Sequence, residues 1–504
     1  MNNHQSDGTG VKQMHLYGFK LAGVGHTAIG TWRNPYNQEH RYADLDYWVD
    51  TARTLERGMF DGLFIADFPG LHDVYRGSSE AALREAIAVP LNDPAMAISA
   101  MAAATRHVGF AFTASTTYEQ PYSFARRMAT LDHLTKGRIG WNIVTSATAS
   151  AARNLGLTGQ VEHDKRYEIA DEFMEVAYKL WEGSWEDDAV VRDPERGVYT
   201  DPSKVHAIGH KGQYFSVPDP FMCEPSPQRT PMLFQAGASA AGQDFAAKHA
   251  EAVFLVNTDI KSVRRSVESV KKQAIARGRR SDDIKFIAGV SVVVAPTDEE
   301  AHVKLQQQLR FVSVEGTLAR QASLMQLDFG SVDLDEPLQY IETDGIRSWL
   351  ERFTIADPDR VWTPRQVAEK VASSLGSITI VGSPSTVADK LEEMMSDGDL
   401  DGFNIYDNLP LRTLPDFVDL VVGELQRRGR VPSRTPPTLC EATQLVAALV
   451  CPTATPAQPP APASGPSTPS EDPPDAASRR GPRRRAAGTA PCTFRVAADR
   501  GSLR

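Results

Sequence analysis

At 504 residues with 41% hydrophobic content, the chain can form one large α/β domain or two or three smaller ones, each with a substantial core. A formal charge of −10 and a pI near 5.7 argue against nucleic acid or anionic membrane as the main partner. No apolar run approaches the roughly 20 residues that span a bilayer. The polar start MNNHQSDGTGVKQ lacks the apolar core of a signal peptide, so a cytoplasmic setting is expected.

From 14 to 430, short apolar runs alternate with helical patterns. Strands are predicted at 15–22, 61–66, 108–115, 138–145, 232–237, 252–256, 285–295 and 401–407. Helices are predicted between them: DLDYWVDTARTLERG closes on Gly58, YEIADEFMEVAYKLWEG on Gly183, DIKSVRRSVESVKKQAIARG on Gly278 and TVADKLEEMMSDG on Gly398. Eight near-continuously apolar strands alternating with helices predict an α/β TIM (β/α)8 barrel, with a doubly wound open sheet as the alternative. The segment is long for a plain barrel, so insertions are expected, at 184–231 and 310–375.

Composition changes sharply near Val431–Pro432. The final 73 residues hold 14 of the 33 prolines and nine arginines, and no Lys, Ile, Met, Asn, Tyr, Trp or His. Such a stretch buries too little apolar surface to offset its chain entropy, so disorder is expected. Two origins stay open: out-of-frame or read-through translation of GC-rich DNA, and a native Pro/Arg-rich interaction arm. The expected organisation is a flexible 1–13, a barrel at 14–431 and a disordered tail at 432–504.

Several engines are absent from the sequence: no G-x-x-x-x-G-K-[ST], no H-E-x-x-H, no G-x-S-x-G, and no G-x-G-x-x-G after a strand. His206 and His210 in HAIGH have metal-ligand spacing, but Gly209 opposes a helix there and no metal is expected. Of four cysteines only Cys223 precedes the tail, and it reads as a small buried hydrophobe.

In a barrel, polar residues at the C-terminal strand ends are the ones that face a site. Here these are Asp67, Thr113, Ser115, Asn142, Thr145, Ser146, Gln235, Gly237, Ser239, Asn404 and Asp407. Singly, each can be a helix cap. Together they make a mouth of amides and hydroxyls with few charges, suited to hydrogen-bonding a polar, uncharged ring system. Gly237 and Ser239 at a helix start can cradle a phosphate, and His163 with Tyr167 on one helix face is a second candidate phosphate contact. Arg33, Arg76 and Arg84 are possible carboxylate binders but read better as surface ion pairs. FPGL (68–71) and AIAVPL (86–91) can line an apolar vestibule.

The stretches TLDHLTKGRIGWNIVTS, EHDKRYEIADEF, CEPSPQRTPMLFQAGAS and FAAKHAEAVFL resemble the flavin-dependent monooxygenases of the bacterial luciferase-like superfamily. The branch is that of nitrilotriacetate, dibenzothiophene-sulfone and long-chain alkane monooxygenases. VGHTAIGTWRNP, HRYADLDYW, REAIAVPLNDP, KLWEGSWEDDAVVRD and YTDPSKVH look closest to the alkane enzymes. The resemblance spans about 14–430. It implies an oligomeric TIM barrel, a homodimer or homotetramer, that takes FMNH2 from a separate NAD(P)H-dependent flavin reductase. With O2 a C4a-(hydro)peroxyflavin forms and oxygenates a small organic substrate.

By motif match the resemblance implies flavin contacts at Phe19, Asp67, Thr113, Asn142, His163, Tyr167, Gly237 and Ser239. Asp67 and Asn142 fall on the isoalloxazine side, and His163, Tyr167 and Ser239 on the ribityl phosphate side. His26 matches a histidine near the reactive edge and is the catalytic candidate. Gly23, His72, Ala88 and Ala147 stand where the alkane enzyme has polar or sulfur-bearing groups near its substrate. Small groups at three of these positions imply a roomier pocket and put the alkane itself in question. The expected activity is oxygenation of a long-chain alkane-like or xenobiotic compound, with C–N or C–S cleavage as the alternative. An F420-dependent oxidoreductase and a non-catalytic flavin-binding barrel are the competing readings.

Overall fold

A computed structural model describes residues 11–146, 148–256, 259–340, 350–351, 353–355, 360–410 and 412–433. The tail from 434 onward and Ala147 therefore lie outside the described residues. The strands in chain order are β1 (His15–Leu21), β2 (Gly62–Ala66), β3 (Gly109–Ser115) and β4 (Ile139–Val144). Two hairpins follow, β5 (Val190–Asp193) with β6 (Val198–Thr200) and β7 (His210–Lys211) with β8 (Ser216–Val217). Then come β9 (Met232–Gln235), β10 (Ala252–Leu255), β11 (Lys285–Val294), β12 (Ile378–Gly382) and β13 (Gly402–Tyr406).

Pairing runs β1–β2–β3–β4–β9–β10–β11–β13 and back from β13 to β1, parallel throughout. This is a closed (β/α)8 barrel, not an open sheet, and its eight staves are the eight predicted strands. Sequence reading missed β12, which adds outside the barrel along the second half of β11, from Val290↔Ile378 to Val294↔Gly382. It also missed both hairpins, which lie inside the expected insertion at 184–231.

The strands read as continuously apolar because both faces are covered. Leu63, Ile65, Phe110, Phe112, Trp141 and Ile143 face outward into the main core against the helices. Tyr17, Phe64, Phe234, Phe254 and Ile287 face inward and fill the barrel. The filling is largely aromatic. Phe234 stacks on Phe254 at 5.0 Å and 3°, Phe254 meets Phe64 edge-on at 4.3 Å, and Phe64 stacks on Phe19 at 5.4 Å. These rings form an apolar floor beneath the mouth.

Insertion 310–375 supplies the helix Val314–Met325, capped by Ser313 and buried at every position from Gly316 to Met325. A separate apolar cluster holds it: Leu318, Ala319, Ala322 and Met325 pack with Ile29, Ile87 and Val367. Because Ile29 follows β1 and Ile87 follows β2, this packing lays the helix over the barrel mouth. Among the described residues no helix is long and apolar enough to cross a membrane.

Candidate active site

Strand alternation decides what reaches the mouth. On β4, Trp141 and Ile143 point outward, so Asn142 points in. In the parallel register Thr113 lies opposite Asn142, and the Asn142 Nδ2 donates to Thr113 Oγ1 at 3.0 Å. Every barrel strand contributes to one cavity of about 270 Å³: Phe19, Phe64, Thr113, Asn142, Gln235, Phe254, Gly289 and Asn404 with Tyr406. Gly289 is small by necessity, since a Cβ there would come within 2.2 Å of the Tyr406 hydroxyl.

Ten of the thirteen sequence-derived site residues line this cavity: Phe19, His26, Asp67, His72, Thr113, Asn142, His163, Tyr167, Gly237 and Ser239. Gly23 and Ala88 do not. Gly23 bridges to Leu91, and a Cβ on it would stand 2.2 Å from the Pro90 carbonyl. Its smallness therefore serves a backbone crossing, not pocket volume. Ala88, at φ +50°, donates its backbone N–H to the Gly25 carbonyl at 2.7 Å and is buried among inward-facing strand residues. The roomier pocket expected from these two positions is thus not built by them. Of the expected vestibule, Phe68 and Pro69 reach the cavity and 86–91 does not.

The inner wall carries buried acceptors with no partner among the described residues: Asn142 Oδ1, Gln235 Oε1 and Asn404 Oδ1. Buried polar atoms are almost always bonded, so a row of such oxygens marks a place for donors from a ligand. Burial pushes the Asp67 carboxyl up to about 6, with Asp93 adding and the Phe68 backbone N–H opposing. His26 sits between Phe19, at 4.9 Å, and Phe68, at 5.5 Å, and neither ring nitrogen is bonded. Burial holds it well below the usual imidazole range, with Arg320 and His72 adding. His72 falls to about 3 through burial and Arg320. Both rings are neutral at pH 7.

At the outer edge the polar groups converge on the start of helix Ala240–His249. Ser239 caps it, accepting from the Gly242 N–H at 3.2 Å. The Tyr167 hydroxyl bonds the Ser239 and Thr145 side chains, and burial raises its pKa. A Cβ on Gly237 or Gly242 would stand 2.9 or 2.8 Å from that hydroxyl, so both glycines are required for the approach. His163 packs on Tyr167 at 5.4 Å and shares a 2.6 Å hydrogen bond with Asp164. Arg166 donates to the Ser146 carbonyl. Backbone N–H groups, hydroxyls and a guanidinium at a helix N-terminus suit an anion.

The loop carrying His26 is pinned from behind. Lys20 and Asp407 form an ion pair with both side chains 2% exposed, and the Lys20 ammonium lies 4.5 Å over the Tyr47 ring. Burial opposes the Lys20 charge, but Asp407 and Tyr47 raise its pKa on balance. Glu39 is pushed up to about 7 by burial, with Lys20 opposing, and accepts from the Gly25 N–H at 3.4 Å. Thr27 donates to Asn408, whose amide reaches Ser291 Oγ at 2.6 Å.

Sequence reading missed Thr27, Arg320, Ser323, Leu324 and Tyr406. For Arg320 the available signal was a lone cation between Leu318-Ala319 and Ala322 in a helix of small and apolar residues. Arg33, Arg76 and Arg84 are at the surface, bonded to the Phe311 carbonyl and to Glu315. His206 is exposed beside Glu186, while His210 is buried beside Glu172. Among the described residues no cluster of His, Cys, Asp and Glu could hold a metal.

The site thus combines an aromatic floor, amide-lined walls and a rim of hydroxyls, backbone N–H groups and a guanidinium, a lining suited to a polar ring that bears an anion. The chain belongs to the luciferase-like monooxygenase family, whose profile matches residues 26–400. It is 51% identical over 420 residues to the dimethyl-sulfide monooxygenase of Hyphomicrobium sulfonivorans, covering 83% of this chain and 87% of that protein. It is 48% identical over 418 residues to the long-chain alkane monooxygenase of Geobacillus thermodenitrificans, covering 83% and 91%. Riboflavin lyase, solved with modified FMN and its substrate riboflavin, aligns with a TM-score of 0.81 at 39% identity, covering 86% of this chain and 96% of that one.

Proposed function

We propose that the protein is the oxygenating component of a two-component system, using FMNH2 from a separate NAD(P)H-dependent reductase, and O2, to oxygenate a small organic compound. The observation that carries this is the pairing, in one cavity, of unpartnered amide oxygens on the barrel wall with the anion-binding edge at Ser239. An isoalloxazine ring offers N–H donors to the first, and a ribityl phosphate offers an anion to the second.

In this reading Asn142 and Gln235 accept from the ring, Phe19 and Thr113 flank it, and Asp67 bonds its edge. His163, Tyr167, Gly237 and Ser239 hold the phosphate end. Reduced flavin, when bound, supplies the activation of O2. The aromatic floor and the helix Val314–Met325 exclude water, which protects the reaction from wasteful release of peroxide. His26, neutral and unbonded, carries one ring proton that it can donate to a reacting oxygen while its other nitrogen accepts. Thioethers and hydrocarbons are the substrate classes that the similar enzymes favour. A cytoplasmic homodimer or homotetramer is the expected form.

The test supplies reduced FMN from an unrelated NADH-driven reductase with 18O2 and a panel of thioethers, alkanes and aminocarboxylates. Labelled product is expected. Failure to bind reduced FMN at micromolar concentration would overturn the reading.

A further inference from the structure

His26 can give a ring proton to the main cavity and stay neutral only if its other nitrogen takes one. The packing that keeps water out of the main cavity denies it a proton from that side. Behind it lies a second cavity of about 20 Å³, lined by Lys20, His26, Thr27, Glu39, Tyr47 and Asp407 among others. His26 lines the main cavity as well, so its ring stands between the two. The smaller cavity exceeds the roughly 10–15 Å³ that one water needs.

Three atoms of its lining have no partner among the described residues: both ring nitrogens of His26 and Asp407 Oδ1. Asp407 Oδ2 is taken by Lys20, whose ammonium also faces the Tyr47 ring. The Asp407 side chain is almost fully buried, so its second oxygen calls for a bound donor. One water in the cavity can serve that oxygen and a His26 nitrogen together. Glu39 completes the set. It begins the short 3-10 helix Glu39–Arg41 and is half-buried, with its carboxyl turned in to the Gly25 N–H beside His26. Burial pushes that carboxyl up to about 7, Lys20 and the Gly25 N–H oppose, and Asp407 adds. The neighbouring groups do not exchange protons near neutral pH. Lys20 is raised on balance, Tyr47 is pushed up to about 12 by burial, and His26 is held neutral.

We propose that Glu39 is the proton source for His26, acting through one water held in the cavity between them. The proposal rests on the monooxygenase reading and deepens it. In each transfer a His26 N–H bond breaks as an O–H bond forms on the reacting oxygen. The second ring nitrogen takes a proton from the water, and the water takes one from the Glu39 carboxyl. The ring stays neutral, the water is restored, and Glu39 is left as a carboxylate near Lys20, to be reprotonated from solvent along its exposed side. A half-turn of the ring restores the starting tautomer. Glu39 touches neither substrate nor flavin and acts only through His26.

Infrared difference spectra between pH 5 and pH 9 on the full chain without FMN provide the first test, for wild type, Glu39→Gln, Glu39→Asp and His26→Phe. Wild type should show a protonated-carboxyl band that titrates near 7. Glu39→Gln, which keeps an acceptor for Gly25 but has no proton to give, should lack it. Asp67 and Glu251, also raised by burial, contribute to both spectra and cancel. His26→Phe should shift the band, because the bridging water loses an anchor. In turnover with the reductase, Glu39→Gln should lower kcat about a hundredfold with KM little changed. Wild-type kcat should fall as pH rises through about 7, where the donor loses its proton; Glu39→Gln should abolish that fall and Glu39→Asp keep it at reduced kcat. A Glu39→Gln protein with the wild-type kcat and pH profile overturns the proposal, as does a Glu39 band that His26→Phe leaves in place. If Glu39→Gln does not fold, Glu39→Asp and His26→Phe decide. A wild type that oxygenates no compound sinks the monooxygenase reading, and the infrared band then decides the relay: a shift in His26→Phe supports it and no shift overturns it.

Discussion

Replacing Lys20 with Met tests whether the ion pair behind the His26 loop holds that loop in place. The side chains of Lys20 and Asp407 are both almost fully buried, so Lys20→Met leaves a carboxylate in the interior without its cation. Breaking a buried pair in this way costs about 3–5 kcal/mol. An unfolding entropy of about 2.1 cal/mol/K per residue over roughly 420 residues gives about 0.9 kcal/mol/K, so the melting temperature should fall by about 3–6 °C. The Lys20 pKa is raised in the folded state. Its stabilisation is therefore fully present below the unfolded value, near 10.4, and is lost only as pH rises through the higher folded value. The deficit should accordingly be constant from pH 7 to 9. Thermal melts of wild type, Lys20→Met, Asp407→Leu and the double variant provide the measurement. The double variant should be more stable than the sum of the single losses implies, because no charge is left unpaired. A Lys20→Met protein melting within 1 °C of wild type would refute the reasoning, as would strictly additive losses.

Asn142→Leu should weaken FMN binding about tenfold or more, read by quenching of flavin fluorescence, because it removes a wall acceptor and its bond to Thr113; unchanged affinity would take Asn142 off the flavin wall. His26→Ala should divert reductase-supplied electrons from product to hydrogen peroxide, and untouched coupling would show the ring to be merely structural. His72, depressed to about 3, stabilises the fold above the unfolded value near 6.5 and loses that contribution as pH falls toward 3, at up to about 1.4 kcal/mol per pH unit. His72→Phe should therefore flatten the fall of the urea midpoint between pH 6.5 and 5. Truncation after Ser433, which keeps buried Val431 and the bond from Gln426 to the Pro432 carbonyl, should leave melting temperature and turnover unchanged if the tail is dispensable; a loss of either would show that it takes part.

What was legible in the sequence divides along a physical line. Asn142 and Thr113 could be read because strand periodicity is local: a polar residue flanked by Trp141 and Ile143 in a strand buried on both faces must point into the barrel. The eight staves were readable for the same reason, and Ser239 because a cap sits next to the helix it starts. Gly23 and Ala88 misled because a family position says which residue stands there, while the neighbouring Pro90 carbonyl and Gly25 backbone decide why. Arg320 and the outlying strand β12 were not readable, since both belong to segments whose own pattern does not say where they dock. Arg320 reaches the mouth through long-range packing of its helix, on Ile29, Ile87 and Val367 among others.

That division bears on how such a family changes substrate while keeping its chemistry. Residues delivered by strand alternation are tied to the barrel core, so altering one disturbs aromatic packing such as Phe64 on Phe254, where truncation to Ala costs about 3–5 kcal/mol. Residues delivered by the 310–375 insertion sit on a helix docked by its own small apolar cluster. On the proposed reading, positions on the barrel strands are therefore costly to vary and those on this helix less so. Exchange of residues 314–325 for the matching segment of the dimethyl-sulfide or alkane enzyme should move substrate preference without moving FMN affinity. A shift in FMN affinity as large as the shift in preference would show that the two sets of residues are coupled after all.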